Sequence, residues 1–513
     1  MDKAEPAPDT SAQPSLIQLE KQVVDNTQEI DSDVLRPVVF SADNLFCRFE
    51  LEPKGFLSSG STISFSVTPP AGITRGFFPT NIGISSLISR AVLRTSSGRI
   101  LSDMEEFGHF QSLKSVSLPS DTQKQRKQYS DGRCLDFGME YVATDDNQSQ
   151  MTDARYYGLQ NGKEYTQGAI GGGWTDAGAD RTGLTHHNFQ VVAPDADRKD
   201  LSPSYSIPLY ELFPFLESSN HLPLFAMGSD RVQIELTFTQ TTNRRLSLDK
   251  DGDTAGEQDA VVLIDQNSVE LMSDHIFYPG RMDAMKEEAT KEGFQYNDFV
   301  LSRQTVTSSA TPADDNSKSN VRQVGGAGRT VLRAFAGYVP VERSNGAGSD
   351  PPGEKSELQI MNNYKARSMN KTGNAVGKLE SNLFYNERFL YPQTVTNSAR
   401  QFHQLSDAER KQLYIPREVY SKGGDALAPD ASVGLLYEGR GQTGNLAGHL
   451  FWQGWRLNRG ERVGTKGIQL HMNALDNAGT GIGLTAGTYL QFCYLEVVRR
   501  ATFNDGQVEV FFV

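Results

Sequence analysis

The chain has 513 residues, 37% of them hydrophobic, with 50 basic and 63 acidic side chains for a formal charge of −13. No apolar run approaches the roughly 18 residues that a membrane-spanning helix needs, and the acid excess argues against direct packing on nucleic acid, where a basic arm or patch must neutralise phosphates. Cys47, Cys134 and Cys493 are three, far apart and without a C-x-x-C pair, so neither a disulfide framework nor a zinc knuckle is expected, and a reducing compartment suits them.

Residues 1–36 carry Asp2, Glu5, Asp9, Glu20, Asp25, Glu29, Asp31 and Asp33 with no sustained period, and are expected to form a flexible N-terminal arm. The opening "MDKAEPAPDTSAQPSLIQLEKQ" lacks a positive start followed by an apolar core, so no secretory signal is expected. From Pro37 strand signals dominate. In "STISFSVTPP" Ile63, Phe65 and Val67 alternate with Ser and Thr, the period-two pattern of a half-buried strand. "LISRAVLRTSSGRIL" reads as strand and Ser-Gly turn. "SDMEEFGHFQSLKSV" then has Ser102 three residues before Glu105, a capping-box spacing that predicts a helix from Ser102 to Val116.

Residues 140–186 lack periodicity and are rich in Gly and Asp, and are expected to be an exposed loop insertion. The apolar stretch "IPLYELFPFLESSNHLPLFAM" is cut by Pro208, Pro214 and Pro223. Proline cannot continue a helix or donate in a central strand, so a compact plug beside a sheet is expected. It delivers "DRVQIELTF", whose Val232, Ile234, Leu236 and Phe238 fall on one face. Polar residues 246–260 read as a linker between a first unit at 37–245 and a second at 261–513.

In the second unit "VVLIDQNSVELMSDHIFYP" predicts strands and "GRMDAMKEEATKEGF" a short helix. "FVLSRQTVTSS" and "RTVLRAFAGYVPVE" predict further strands, and a loop insertion is placed at about 303–357, loop-rich from Arg343 to Glu357. "SDAERKQLY" has Ser406 and Glu409 in capping-box spacing, and "GQVEVFFV" should tuck Val513 into a sheet. The fold class is all-β: two consecutive β-sandwich domains with short inserted helices and long loops.

No catalytic, cofactor or metal residue is assigned. "DKDGDT", Asp249 to Thr254, lacks the Gly and the bidentate Glu of a calcium loop, and His186 and His187 lack an i+4 ligand partner. Histidines 109, 221, 275, 403, 449 and 471 are scattered singly, and Asn147 and Asn370 head isolated sequons. "GAIGGGW" and "GGAGRT" match no phosphate-binding loop. A non-enzymatic binding or structural role is expected.

The order of several segments resembles double jelly-roll major capsid proteins of virophages, polinton-like viruses and large nucleo-cytoplasmic DNA viruses. "IPLYELFPFLESSNHLPLFAMGSDRVQIELTF" is similar to the end of that family's first jelly roll. "DHIFYPGRMDAM" resembles the strand-to-helix passage opening the second, with Pro279 and Gly280 where acidic residues often stand. "GFFPTNIGISSLISRAVLRTSSGRIL" is similar to a first-roll strand pair, and "NERFLYPQTVTNSARQFHQL" to a second-roll strand giving way to a helix.

The resemblance implies a homotrimer forming a pseudo-hexameric capsomer that tiles an icosahedral double-stranded DNA virus shell. It implies neighbouring capsomers, penton and minor capsid proteins as partners, an internal membrane or minor proteins beneath, no cofactor, and a place in the virion after synthesis in host cytoplasm or nucleus. A glycan-binding or carbohydrate-active β-sandwich is the alternative, with Trp174, Trp452 and Trp455 stacking sugars, though Glu461 stands alone where a pair of carboxylates would do acid and base work.

Overall fold

A computed structural model describes residues 29–41, 46–68, 83–115, 130–131, 204–216, 221–228, 230–239, 245–246, 260–261, 263–308, 319–340, 368–369, 375–376, 378–393, 398–409, 452–457, 462–475, 487–504 and 506–513. The expected loop at 140–186 and the loop-rich stretch 343–357 lie outside them.

In the first sandwich, Thr62–Thr68 buries Ile63 and Phe65 while Ser64 and Ser66 stay half-buried, the outcome of its alternation. It belongs to a seven-stranded sheet in the order Leu263–Ile264, Thr62–Thr68, Glu270–Phe277, Phe56–Leu57 and Leu222–Pro223, with Glu29–Leu35 added to Glu270–Phe277 and Ser204–Pro208 to Thr62–Thr68. Facing it is a five-stranded sheet of Val39–Ser41, Phe46–Glu50, Val232–Phe238, Ile88–Thr95 and Ile100–Glu105. Phe65 of one meets Phe238 of the other edge-on, ring centroids 5.6 Å apart.

Val232–Phe238 pairs on both edges, and Gln233 and Glu235 on its second face are buried as well. Glu235 is buried there and pairs with Arg94 at 2.6 Å.

The proline-cut stretch is a chain of short turns: one helical turn at Leu209–Leu212, 3-10 turns at Pro214–Leu216 and Leu224–Met227, and between them the two-residue strand Leu222–Pro223. Leu209, Leu212, Phe213, Leu216, Leu222, Leu224 and Met227 are all buried. The plug is also a wedge. Phe215 meets Tyr296 of the second sandwich at 4.9 Å, and at Gly228, where φ is 53°, an added Cβ would lie 2.9 Å from the Cα of Gly506.

The second sandwich has a five-stranded sheet in which the 18-residue strand Gly487–Asn504 pairs with Phe294–Ser308 on one side and with Val331–Pro340 on the other. Gln453–Arg456 extends that sheet, and Gln507–Phe512 folds back on Gly487–Asn504. Its partner sheet has four strands, Ser319–Gly325, Ile468–Leu475, Lys378–Tyr385 and Arg388–Phe389. The amide of Thr330 donates to the carbonyl of Val513 at 2.6 Å, so the last residue is tied to the sheet as expected.

Several elements differ from the sequence reading. Glu29–Leu35, read as arm, is a strand registered residue for residue on Glu270–Phe277. Its Asp31 and Asp33 are matched by Lys54. Leu263–Ile264 and Glu270–Phe277, read as opening the second unit at 261, return to the first sandwich, because Leu271 and Ser273 complete its buried face. Arg245–Leu246 and Ala260–Val261 pair with each other, so the stretch read as a linker at 246–260 leaves and re-enters at one place. Two strands, Ser319–Gly325 and Val331–Pro340, occupy much of the insertion placed at 303–357.

Both capping-box helices shift. Ser102 lies in the strand Ile100–Glu105, and the helix is Phe107–Ser115, following Glu106 at φ 51°. Ser406 falls near the end of helix Ser398–Glu409, whose Leu405 and Ala408 pack so tightly on Gly454 that an added Cβ would lie 2.9 and 3.0 Å from them. Helix Met282–Glu292 forms where expected and stops at Gly293, φ 64°.

Candidate assembly surfaces

A strand rich in apolar residues normally excludes charge, yet Asp298 in Phe294–Ser308 and Arg499 in Gly487–Asn504 point into the junction between the sandwiches. Asp298 is fully buried, accepts a hydrogen bond from Ser102 Oγ at 2.7 Å and ion-pairs with Arg499 Nη2 at 3.1 Å. Burial pushes its carboxyl up to about 6, although Arg499 and Ser102 both act to lower it. Arg499 Nη1 also donates to the carbonyl of Leu101 at 3.2 Å, and Tyr296 OH donates to the same oxygen at 2.7 Å.

A second tier extends this seam. Arg303 Nη1 meets Glu106 Oε1 at 2.9 Å, and Tyr494 OH donates to the Glu106 carbonyl at 2.9 Å. The His109 ring stacks on Phe492 at 4.0 Å, and burial first, then Arg303, pulls it down to about 3, so it is neutral at physiological pH. Phe110 fills the space against Phe299 and Tyr494, at 4.9 and 5.3 Å. Each contact joins the first sandwich to the second.

The residues that could have formed a small-molecule site are placed otherwise. Trp452 and Trp455 are buried, Trp452 lying over Gly337 so closely that a Cβ there would be 2.7 Å from the ring. They are core residues and are not available to stack sugars, which corrects the glycan reading for this pair. Trp174, Glu461, Asp249–Thr254, His186, His187, His449, Asn147, Asn370 and Cys134 lie outside the described residues.

His275 is buried, with Nδ1 3.1 Å from the Lys54 carbonyl, and His221 Nδ1 accepts from the Ser59 amide at 3.2 Å. Cys47 and Cys493 are free and buried, and burial pushes both thiols up to about 12. Among the described residues no group of three or more His, Cys, Asp or Glu could hold a metal ion, and no helix is long and apolar enough to cross a membrane.

Apolar side chains collect instead at outer edges. Glu29–Leu35 has one strand partner among the described residues and turns Ile30 and Val34 outward, Val34 lying opposite the exposed Met272. Gln507–Phe512 likewise pairs on one side only and leaves Phe511 and Phe512 exposed. Phe389 closes a third cluster with Phe384 and His471, at 5.0 and 5.1 Å. Exposed strand edges carrying apolar side chains can pair with or pack against another chain.

No protein-family model matches the chain, and no curated protein matches it. Solved structures do. VP54 of PBCV-1, fitted into a reconstruction of the virophage Sputnik, is 10% identical with a TM-score of 0.50, the match covering 96% of this chain and 98% of that one. The quasi-atomic PBCV-1 virus capsid gives the same values. The mavirus major capsid protein is 11% identical at a TM-score of 0.48, over 100% of this chain and 96% of that one. Over nearly its whole length the chain therefore has the double jelly-roll fold of PBCV-1 VP54.

Proposed function

We propose that this chain is a major capsid protein, a structural and non-enzymatic subunit of an icosahedral double-stranded DNA virus shell. The observation that carries the reading is the fold shared with VP54 of PBCV-1 over 96% of this chain, two like sandwiches that here are joined through a buried polar seam. Three chains with two similar lobes each make a six-lobed tile, so a homotrimer is a pseudo-hexamer. The apolar strand edge at Glu29–Leu35 supplies surface for subunit and capsomer contacts. Neighbouring capsomers, penton and minor capsid proteins are the partners this role requires, with an internal membrane as a further neighbour and the virion as the location.

Light scattering on the purified chain tests the reading. A stable species at three times 56.6 kDa is expected, and six-lobed particles should appear in electron micrographs. A monomer at every concentration tried that binds oligosaccharide would overturn it.

A further inference from the structure

At the open edge of the second sandwich, Gln507–Phe512 sets Phe512 beside two guanidinium groups on one face of the strand and Phe511 beside a third on the other. Phe511 and Phe512 are 50% and 40% exposed. Arg329 Cζ lies 3.9 Å and Arg499 Cζ 4.7 Å from the centroid of the Phe512 ring. Arg500 stands opposite Phe511 in the strand register. Arg462 bridges to Thr330, whose amide holds the Val513 carbonyl.

Three of these cations, Arg329, Arg462 and Arg500, lack the carboxylate partners that several other arginines have. Arg90 pairs with Asp103, Arg94 with Glu235, Arg231 with Glu50, Arg303 with Glu106, Arg333 with Glu496 and Arg456 with Asp407. Arg462 and Arg500 donate to the main-chain oxygens of Gly328 and Glu292, and Arg329 rests on the Phe512 ring; none of the three has a carboxylate partner among the described residues. Burial first, and the charge of Arg499 second, pull Arg329 below the usual arginine range. In a chain of net charge −13 this is an exception.

Cations bordering exposed rings suit an acidic segment that also carries apolar side chains. Residues 1–28 are such a segment: five carboxylates, Asp2, Glu5, Asp9, Glu20 and Asp25, against Lys3 and Lys21, with Leu16, Ile17, Leu19, Val23 and Val24 near its end. The span is short. Glu29 lies opposite Phe277, and the 11-residue helix Met282–Glu292, about 16 Å long, leads from there to the Glu292 carbonyl that Arg500 holds. A 28-residue segment can extend up to ~90 Å, several times that distance.

We propose that residues 1–28 dock along this strand edge and wrap both of its faces, Glu20 and Asp25 meeting Arg329, Arg462 and Arg500 while Leu19, Val23 and Val24 cover Phe511 and Phe512. The docking stands whether or not the chain builds a shell.

Hydrogen exchange on the full chain tests it. At about 50 mM salt, amides of residues 15–28 should exchange at least ~10-fold more slowly than an unstructured peptide, and raising salt to about 500 mM should remove most of that protection. Arg329→Glu with Arg500→Glu should abolish the protection, as should Glu20→Lys with Asp25→Lys. The two pairs combined should restore it. Unchanged exchange along Phe294–Ser308 reports that the fold persists in each variant, and the arm-side pair replaces no residue of either sandwich. Unprotected amides in the wild type at both salts would overturn the proposal, and so would protection indifferent to the patch reversal. Protection of residues 510–513 by phosphatidylserine vesicles or by a single-stranded oligonucleotide, with residues 15–28 still exchanging freely, would assign the patch to that ligand and overturn it as well.

Discussion

Replacing Asp298 by Asn tests the seam directly. In the folded chain burial holds this carboxyl at about 6 against an ordinary 3.8. A raised carboxyl binds its proton more tightly folded than unfolded, so its contribution to stability falls as pH rises through that window. The difference between 3.8 and about 6 corresponds to ~3 kcal/mol between its protonated and ionised extremes. Asp298→Asn removes the titration and leaves an amide that can still accept from Ser102 Oγ, 2.7 Å away in the wild type. Urea midpoints are to be measured from pH 4 to 7 at one fixed protein concentration, because assembly adds its own concentration dependence. The wild type should lose stability relative to the variant as pH rises from 4 to 6, by up to about 1.4 kcal/mol per pH unit, and the difference should level off above 6. Parallel stability curves for the two proteins across this range would refute the reasoning, since they would mean that Asp298 titrates alike folded and unfolded.

Other substitutions probe single geometries. Gly293→Ala places a Cβ 2.1 Å from the Ala501 carbonyl at a φ of 64°, and should cost at least about 2 kcal/mol, read as a fall in the thermal midpoint; an unchanged midpoint would contradict it. Asp230 accepts from Ser96 Oγ at 3.0 Å, from the Ser97 amide at 2.8 Å and from Ser97 Oγ at 2.7 Å. Burial acts to raise this carboxyl, but those bonds outweigh it and hold it below its ordinary value, so its contribution is present at neutral pH and lost on acidification, opposite in sign to that of Asp298. Asp230→Ala should cost about 1–3 kcal/mol at pH 7 and less at pH 3, by urea unfolding at both values. Cys47 and Cys493, pushed up to about 12, should stay unmodified by an alkylating reagent at pH 8 until the chain is unfolded, as peptide mapping would show.

What could be read in the sequence was local. Thr62–Thr68 and Val232–Phe238 announce themselves because a period of two must place alternate residues on one face, and helix Met282–Glu292 because Gly293 stops it. The proline-cut plug was legible as a plug, though its role as a wedge against Tyr296 and Gly506 was not. The strand Glu29–Leu35 was hidden by its own composition: Asp31 and Asp33 read as solvated arm until Lys54 is seen between them. Ser102 misled for a related reason. Its spacing to Glu105 matches a cap, but its buried hydroxyl has a carboxylate acceptor 196 residues along the chain, and no local pattern records that partner. The seam left one signal, charge in otherwise apolar strands, in "YNDFVL" and "EVVRRATF". That signal marks buried pairs only when both ends are noticed together.

The polar seam explains how two sandwiches meet at one angle. Burying Phe110 against Phe299 and Tyr494 favours contact, but apolar burial is non-directional and fixes no rotation. Hydrogen bonds are directional. The Leu101 carbonyl receives both Tyr296 and Arg499, and the next residue, Ser102, donates to Asp298, so two consecutive residues of Ile100–Glu105 are pinned from the second sandwich. A slip of one residue would turn every side chain of that strand to the opposite face and leave Asp298 buried with Arg499 alone. The ionised carboxylate is therefore tolerable in one register, and its burial cost acts against every other. In the proposed trimer that selectivity matters more than the stability it contributes, because a closed ring of six lobes accepts little error in the angle repeated within each chain.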